Sequence, residues 1–382
     1  MTAFLVQLRA LFVSLRLTVV LLALSIILVF WATLDQVHLG VWAVQQKFFH
    51  SIVVPVKFGD LMVPVFPGGY LIGGLLLINL ICAHIYRFKL SWRKLGIWLT
   101  HIGVILLLVG ELVSGLVQQD YEMTLNQGET KNYAESNRLD ELAIIDATDP
   151  NYDEVVAIPE SMIAKGEVVQ NPKLPFRVVP KAYYPNSDAQ MRSQAPGAPP
   201  SMATVGVGPM VAVTPTEVSY AEDAHNLPSA FIELVGPDGS LGTWLVSTLM
   251  PGNPQTFTYA NRTWKLYLRP KRMYSAYSVT LEKFTHDIFP GTDIDRNFSS
   301  KVRLNIPGGG SREVLIYMNN PLRYAGLTYY QERFANNDQT SILEVVRNPS
   351  WLVPYISCVM IALGLVIQFL IHLVGFARRR RA

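Results

Sequence analysis

Cysteine is nearly absent from this 382-residue chain. The two copies, Cys82 and Cys358, both fall inside long apolar runs, so nothing outside those runs can form a disulfide. CxxC and CxxCH are missing, which excludes dithiol redox chemistry and a c-type cytochrome. GxSxG, HExxH and the P-loop are missing too, so the sequence offers no motif for an esterase, a zinc peptidase or a nucleotide hydrolase. No repeat is evident, and no periodic helix of useful length occurs in the polar part of the chain.

What is abundant is apolar surface. Half of the residues are hydrophobic, too many for an ordinary soluble protein, and they are concentrated in four blocks. Residues 17–34, 69–86, 95–117 and 351–376 are each long enough to cross a bilayer as a helix of about 20 residues. The first block follows Arg9 and Arg16 as a secretory signal would. It is longer than a signal core, however, and VFWATLDQ lacks a small-x-small cleavage site, so it reads as an uncleaved span.

Basic residues orient the spans. Arg9 and Arg16 precede the first, Arg87, Lys89, Arg93 and Lys94 fill the turn between the second and third, and Arg378 to Arg381 follow the fourth. Lysine and arginine are retained on the cytoplasmic side. The expectation is that both termini and the short turn lie inside, with loop 35–68 and region 118–350 outside. The net charge of +3 is largely these clusters, and RRRR beside a span is a topology anchor touching anionic lipid. No nucleic-acid partner is implied.

Within loop 35–68, Val37, Val41, Val44 and Phe48 recur at helical spacing, as in a short amphipathic helix on the membrane surface or a packed loop helix. Region 118–350 reads as mainly antiparallel β structure. Runs such as LAIIDA, FIELVG, TWLVSTL and REVLIYM alternate with the turn signals GPDGS and PGGGS. Residues 185–216, rich in Pro, Ala, Gly, Ser and Met, read as a flexible insertion.

The third block, LGIWLTHIGVILLLVGELVSGLV, holds His101 and Glu111. Ionisable groups in a span are costly to expose to lipid, so both should face protein, water or a cofactor. Imidazole can ligate a metal or shuttle a proton near neutral pH. The competing reading of His101 is a packing histidine hydrogen-bonded to a neighbouring helix. Glu111 is ten residues further on, about 80° around the helix, on a related but not identical face, where a polar contact with the outer domain explains it equally well. His84 and His372 sit near inner span ends, from which a side chain can snorkel to water. In MNNPLRYAGLTYYQ, Tyr324, Tyr329 and Tyr330 suit a hairpin core or a binding surface, with alternation favouring the core, and Met318 is a potential iron ligand or a buried strand residue. His225 and His286 have acidic neighbours, Asp223 and Asp287, but no nucleophile, and read as surface features.

Five stretches in order resemble the ResB (or CcsB) family of cytochrome c maturation proteins: LRLTVVLLALSIILVFWATLDQ, KLGIWLTHIGVILLLVGELVSG, YEMTLNQGETKNY, FTHDIFPGTDIDRNFSSKVRL and VLIYMNNPLRYAGLTYYQ. The layout of three spans, a large outer domain and a fourth span is also similar. The resemblance implies an assembly factor of the bacterial inner membrane rather than an enzyme. It would work with a ResC/CcsA-type membrane protein to carry haem b outward and join it to apocytochrome c. The tryptophan-rich haem motif of that partner is absent, since the seven tryptophans here are scattered. By position, His101 matches the family's third-span histidine, which implies an axial haem ligand, with Glu111 and His84 as lesser candidates. Insertion 185–216 departs from the family pattern. The alternative function is a membrane-tethered binding or scaffold module with no haem role. A proton-coupled transporter using His101 and Glu111 is disfavoured by four spans without a repeat.

Overall fold

Blocks of Leu, Ile, Val and Ala without interior proline satisfy their own backbone polar groups as helices, the only open-chain solution in hydrocarbon. The computed structural model describes residues 2–58, 61–87, 91–219, 226–250, 254–292, 294–335 and 339–381. Asp223, His225 and Lys89 lie outside the described residues. The chain divides into two units: 1–119 with 220–222 and 347–382, and 120–219 with 223–346.

The first unit contains α1 (Thr2–Phe12), α2 (Leu15–Val44), the hairpin β1 (Val53–Phe58) and β2 (Leu61–Pro67), α3 (Gly69–Tyr86), α4 (Leu95–Val117) and, after the second unit, the last helix (Val353–Arg381). Among the described residues, four helical stretches are long and apolar enough to cross a membrane: Leu15–Phe49, Gly69–Tyr86, Trp92–Val117 and Val353–Arg380. The first exceeds its expected bounds of 17–34. The backbone at Gly40 is not helical (φ 77°, ψ 165°), so the long helix breaks there and a second, short helical segment follows to Phe49, its last five residues, Gln45–Phe49, in a wider turn. Glycine permits that backbone, and Val44 and Phe48 of the short segment are buried, as in a packed loop helix. Trp31 then packs edge-on against Phe48 at 5.2 Å and Phe66 at 6.2 Å, fastening hairpin and turn to α2.

The end of α1 and the start of α2 are clamped onto α3. Asn79, only 3 % exposed, donates through Nδ2 to the carbonyls of Phe12 (2.8 Å) and Ser14 (3.2 Å) and accepts from the Thr18 hydroxyl (2.6 Å). A polar side chain inside an apolar bundle is tolerable when its hydrogen bonds are made, as here. On α4, Gly96, Gly103 and Gly110 lie seven residues apart and meet the last helix. A Cβ on Gly103 would stand 2.7 Å from Ile361, and one on Gly96 would stand 2.5 Å from the Gly364 carbonyl. The two backbones therefore approach as small-residue helix pairs do.

The second unit contains β3 (Gln119–Asn126), β4 (Thr130–Asp146), β5 (Glu154–Pro159), a single-turn helix α5 (Glu160–Ala164), β6 (Arg177–Tyr184), β7 (Ser187–Met191), β8 (Val211–Pro215), β9 (Ser229–Gly236), β10 (Gly239–Ser247), β11 (Gln255–Tyr259), β12 (Arg262–Ile288), β13 (Asp295–Ile306), β14 (Gly310–Tyr317), β15 (Leu322–Tyr324), β16 (Leu327–Ala335) and β17 (Thr340–Arg347); the last helix is α6. Among the described residues, ten strands form one sheet along β14-β13-β12-β4-β3-β17-β16-β15, with β11 added to β12 and β5 to β4. Strands β10-β9-β6 form a second sheet. Neighbouring strands such as β9–β10, β12–β13, β13–β14, β16–β17 and β6–β9 pair antiparallel, as expected for strands joined by short turns.

Strand β12 belongs to two cores. Its first part, with Trp264, Leu266 and Leu268, packs with Ile144, Ile158 and Ile232. Its second part, with Val279 and Leu281, packs with Leu304, Tyr329 and Val345. Alternate residues point inward in both, the period of a half-buried strand.

Residues 185–216, expected as a flexible insertion, carry hydrogen-bonded structure. Residues 187–191 and 211–215 pair as an antiparallel ribbon, and the segment between is tied down. The Arg192 guanidinium donates to the carbonyls of Ala198, Pro199 and Val211, and the Val207 N–H donates to Gln255. Pro and Gly deny this stretch regular pairing, and one forked side chain satisfies the carbonyls instead.

Candidate functional site

The densest cluster of chemistry-bearing side chains in the first unit lies between α3 and α4. The His84 and His101 rings sit edge to face, with centroids 4.7 Å apart and planes at 74°. Trp98, one turn before His101, packs edge-on against His84 at 5.1 Å. His84 does not snorkel: it is 6 % exposed. Its Nδ1 lies 2.8 Å from the Leu80 carbonyl. A carbonyl only accepts, so Nδ1 bears a hydrogen and donates. His101 is half-buried and therefore the more accessible of the two.

The other candidates are not gathered here. Glu111 is exposed and interacts electrostatically with Tyr70 at the start of α3. The His50 ring stacks on Tyr70 at 5.4 Å. His50 went unnoticed in the sequence because it lies in loop 35–68, where neither spacing nor hydropathy marks it. His372 is exposed and accepts from the Gln368 amide at 2.9 Å.

In the second unit, Tyr329 is fully buried with its hydroxyl 2.8 Å from that of Tyr277, and Tyr324 packs edge-on against Tyr277 at 4.8 Å. These tyrosines form a hairpin core, and Tyr330, next along the strand, is half-buried on its other face. Met318 follows β14 in a turn and is 42 % exposed, not a buried strand residue. His286 is largely buried rather than a surface feature. Its ring lies 2.7 Å from Asp295 on the neighbouring strand, not paired with Asp287, and packs on Phe334 at 4.3 Å.

A titratable cluster that the sequence did not announce surrounds Asp140. Burial, reinforced by Glu160 and Glu141, pushes its carboxyl from 3.8 up to about 7. Burial also raises Glu160, which accepts from the Tyr183 hydroxyl at 3.0 Å. Glu141 is held by Arg269 in a buried pair at 3.0 Å. Among the described residues, no three His, Cys, Asp or Glu side chains are grouped to hold a bare metal ion.

The chain is similar to a protein of Synechococcus sp. (strain CC9311) named "Cytochrome c biogenesis protein CcsB", being 44 % identical to it over 54 residues. The similarity covers 14 % of this chain and 12 % of that protein. No protein-family model matches the chain.

Proposed function

We propose that this chain is a cytochrome c maturation factor, the ResB/CcsB-type half of a complex that carries haem across the bacterial inner membrane with a ResC/CcsA-type partner and presents it to apocytochrome c. The observation that carries the reading is the His84–His101 pair between two apolar helices. The similarity to a cytochrome c biogenesis protein supports it over part of the chain. Haem is the cargo: its iron takes an axial imidazole, and thioether bonds then fix it to CxxCH.

The residues fit haem in one particular way. Two imidazoles on opposite faces of one iron each need a metal–nitrogen bond of about 2 Å with the metal between them. Rings 4.7 Å apart and edge to face leave no room for that. One imidazole is therefore the ligand and the other its support. His101, the more accessible, is the ligand. His84, fixed by the Leu80 carbonyl, holds His101 in place through its edge-to-face contact. Trp98, edge-on against His84, braces that ring from the same helix as His101.

The test is the visible spectrum of the full chain purified in detergent, alone and with its partner. A Soret band is expected in the wild type and is lost in His101→Ala. In His84→Ala, haem retention falls about 10- to 100-fold, the usual cost of removing a residue that orients a ligand. A variant lacking the His101 imidazole that keeps its Soret band and still matures cytochromes would refute the assignment.

A further inference from the structure

We propose that the elbow between α1 and α2, together with the end of α3, is a binding site for the phosphate of an anionic phospholipid headgroup. A cavity of about 580 Å³ opens there. Arg9, Arg16 and Arg87 line it, and no carboxylate does. The sequence supplies none nearby: no Asp or Glu occurs before Asp35 or between Asp60 and Glu111, and Asp35 is held by Lys47 at 2.7 Å. Among the described residues no carboxylate pairs with these three guanidiniums, which repel one another, and a phosphate relieves this through forked, charge-assisted hydrogen bonds.

The site is built, not merely basic. Arg87 donates to the Val13 carbonyl at 3.0 Å, which fixes its stem at the break between α1 and α2. Arg9 lies over the Tyr86 ring, 5.3 Å from its centroid. Arg16 belongs to the first turn of α2, a 30-residue helix capped by Ser14, whose unsatisfied N–H groups add positive potential at the same place. Asn79 holds this whole elbow on α3.

The rest of the lining selects the source of the phosphate. Val6, Ala10, Val13 and Leu15 supply apolar walls, and Phe4, Leu8 and Leu11 leave α1 with further exposed apolar surface. A ligand with a phosphate on one end and hydrocarbon on the other fits both halves. Basic pockets at the cytoplasmic ends of spans take such headgroups. Tyr86 lies about 160° around α3 from His84, although Arg87 lies within about 60° of it, so haem is kept as an outcome of the test.

Native mass spectrometry of the full chain, exchanged into micelles doped with phosphatidylglycerol or phosphatidylcholine, tests this. The wild type is expected to retain phosphatidylglycerol over phosphatidylcholine. Each Arg→Gln change at 9, 16 or 87 should weaken retention about fivefold. Val6→Trp, which fills the cavity and leaves every charge in place, should lower retention as well, and it keeps the test informative if a triple arginine variant does not fold. Unchanged retention in Val6→Trp and in Arg16→Gln overturns the site and assigns the lipid to the basic tail. Displacement of the lipid by inorganic phosphate, or by haem, overturns the choice of ligand.

Discussion

An imidazole beside another imidazole in an apolar bundle is a different object from either ring alone. His101 announced itself in the sequence because a lone ionisable group interrupts an apolar run. His84 did not, since a residue near a span end reads as free to reach water until the neighbouring helix is known. Its burial is set by Trp98 and His101, which lie on another helix. Asp140 shows the same limit in the second unit. The β4 strand bulges between Glu135 and Asp140, and the Ser136 hydroxyl accepts from the N–H groups of Arg138 and Leu139 there. The carboxyl that follows is turned toward Glu160 and Glu141, which no spacing rule foretells. Because its folded pKa is raised to about 7, the unfolded chain ionises first as pH rises. Stability therefore falls from about pH 4 to about pH 7 and levels off above. Asp140→Asn removes that penalty. Its melting temperature should match the wild type near pH 4 and exceed it above pH 7, by the equivalent of about 2 kcal/mol once partial solvent contact is discounted. A gap that does not widen between those values would refute this account.

At the scale of elements, the apolar blocks and the strand runs were legible because helix length and period-two alternation are local properties. The contour of loop 35–68 was not. Hairpin β1–β2 exists because Trp31 of α2 offers a ring for Phe66 to pack on, a contact between residues far apart in the chain. Helix α1 was likewise invisible, being held by Asn79 and Arg87 of α3. Residues 185–216 have the composition of a linker, but Arg192 and Gln255 supply the partners that a linker lacks. The contact between α4 and α6 depends on glycine. Gly103→Leu should push the Ile361 side and weaken the pair by about 1–3 kcal/mol, an overpacking cost, seen as a lower melting temperature in detergent. Gly73→Leu on α3 is the matched control, since a Cβ there meets nothing within 4 Å. Equal melting temperatures for the two variants would remove close approach as the reason for these glycines.

For the whole molecule, the direction of the spans decides which compartment each site serves. Basic residues at positions 9, 16, 87, 93 and 378–381 flank the spans at one set of ends, and retention of such residues in the cytoplasm predicts that residues 120–346 face outward. Alkaline phosphatase fused after residue 200 should be active, and after residue 90 inactive. The reverse result would put the histidine pair at the outer leaflet and end its role in taking haem from the cytoplasm.

Two short contacts have a further bearing on how the second unit is kept. The Asn348 amide donates to Gln118 at 3.0 Å, and the Ser114 and Ser350 hydroxyls lie 2.7 Å apart, so the chain is stapled to itself where it departs from α4 and where it rejoins α6. Below the staple, three glycines bring those helices close along their length. A cut anywhere in the peptide chain between would leave two fragments, each holding one leg of the same zipped pair. Each piece of the second unit would stay joined to its own helix, and the zipper would keep the two fragments together.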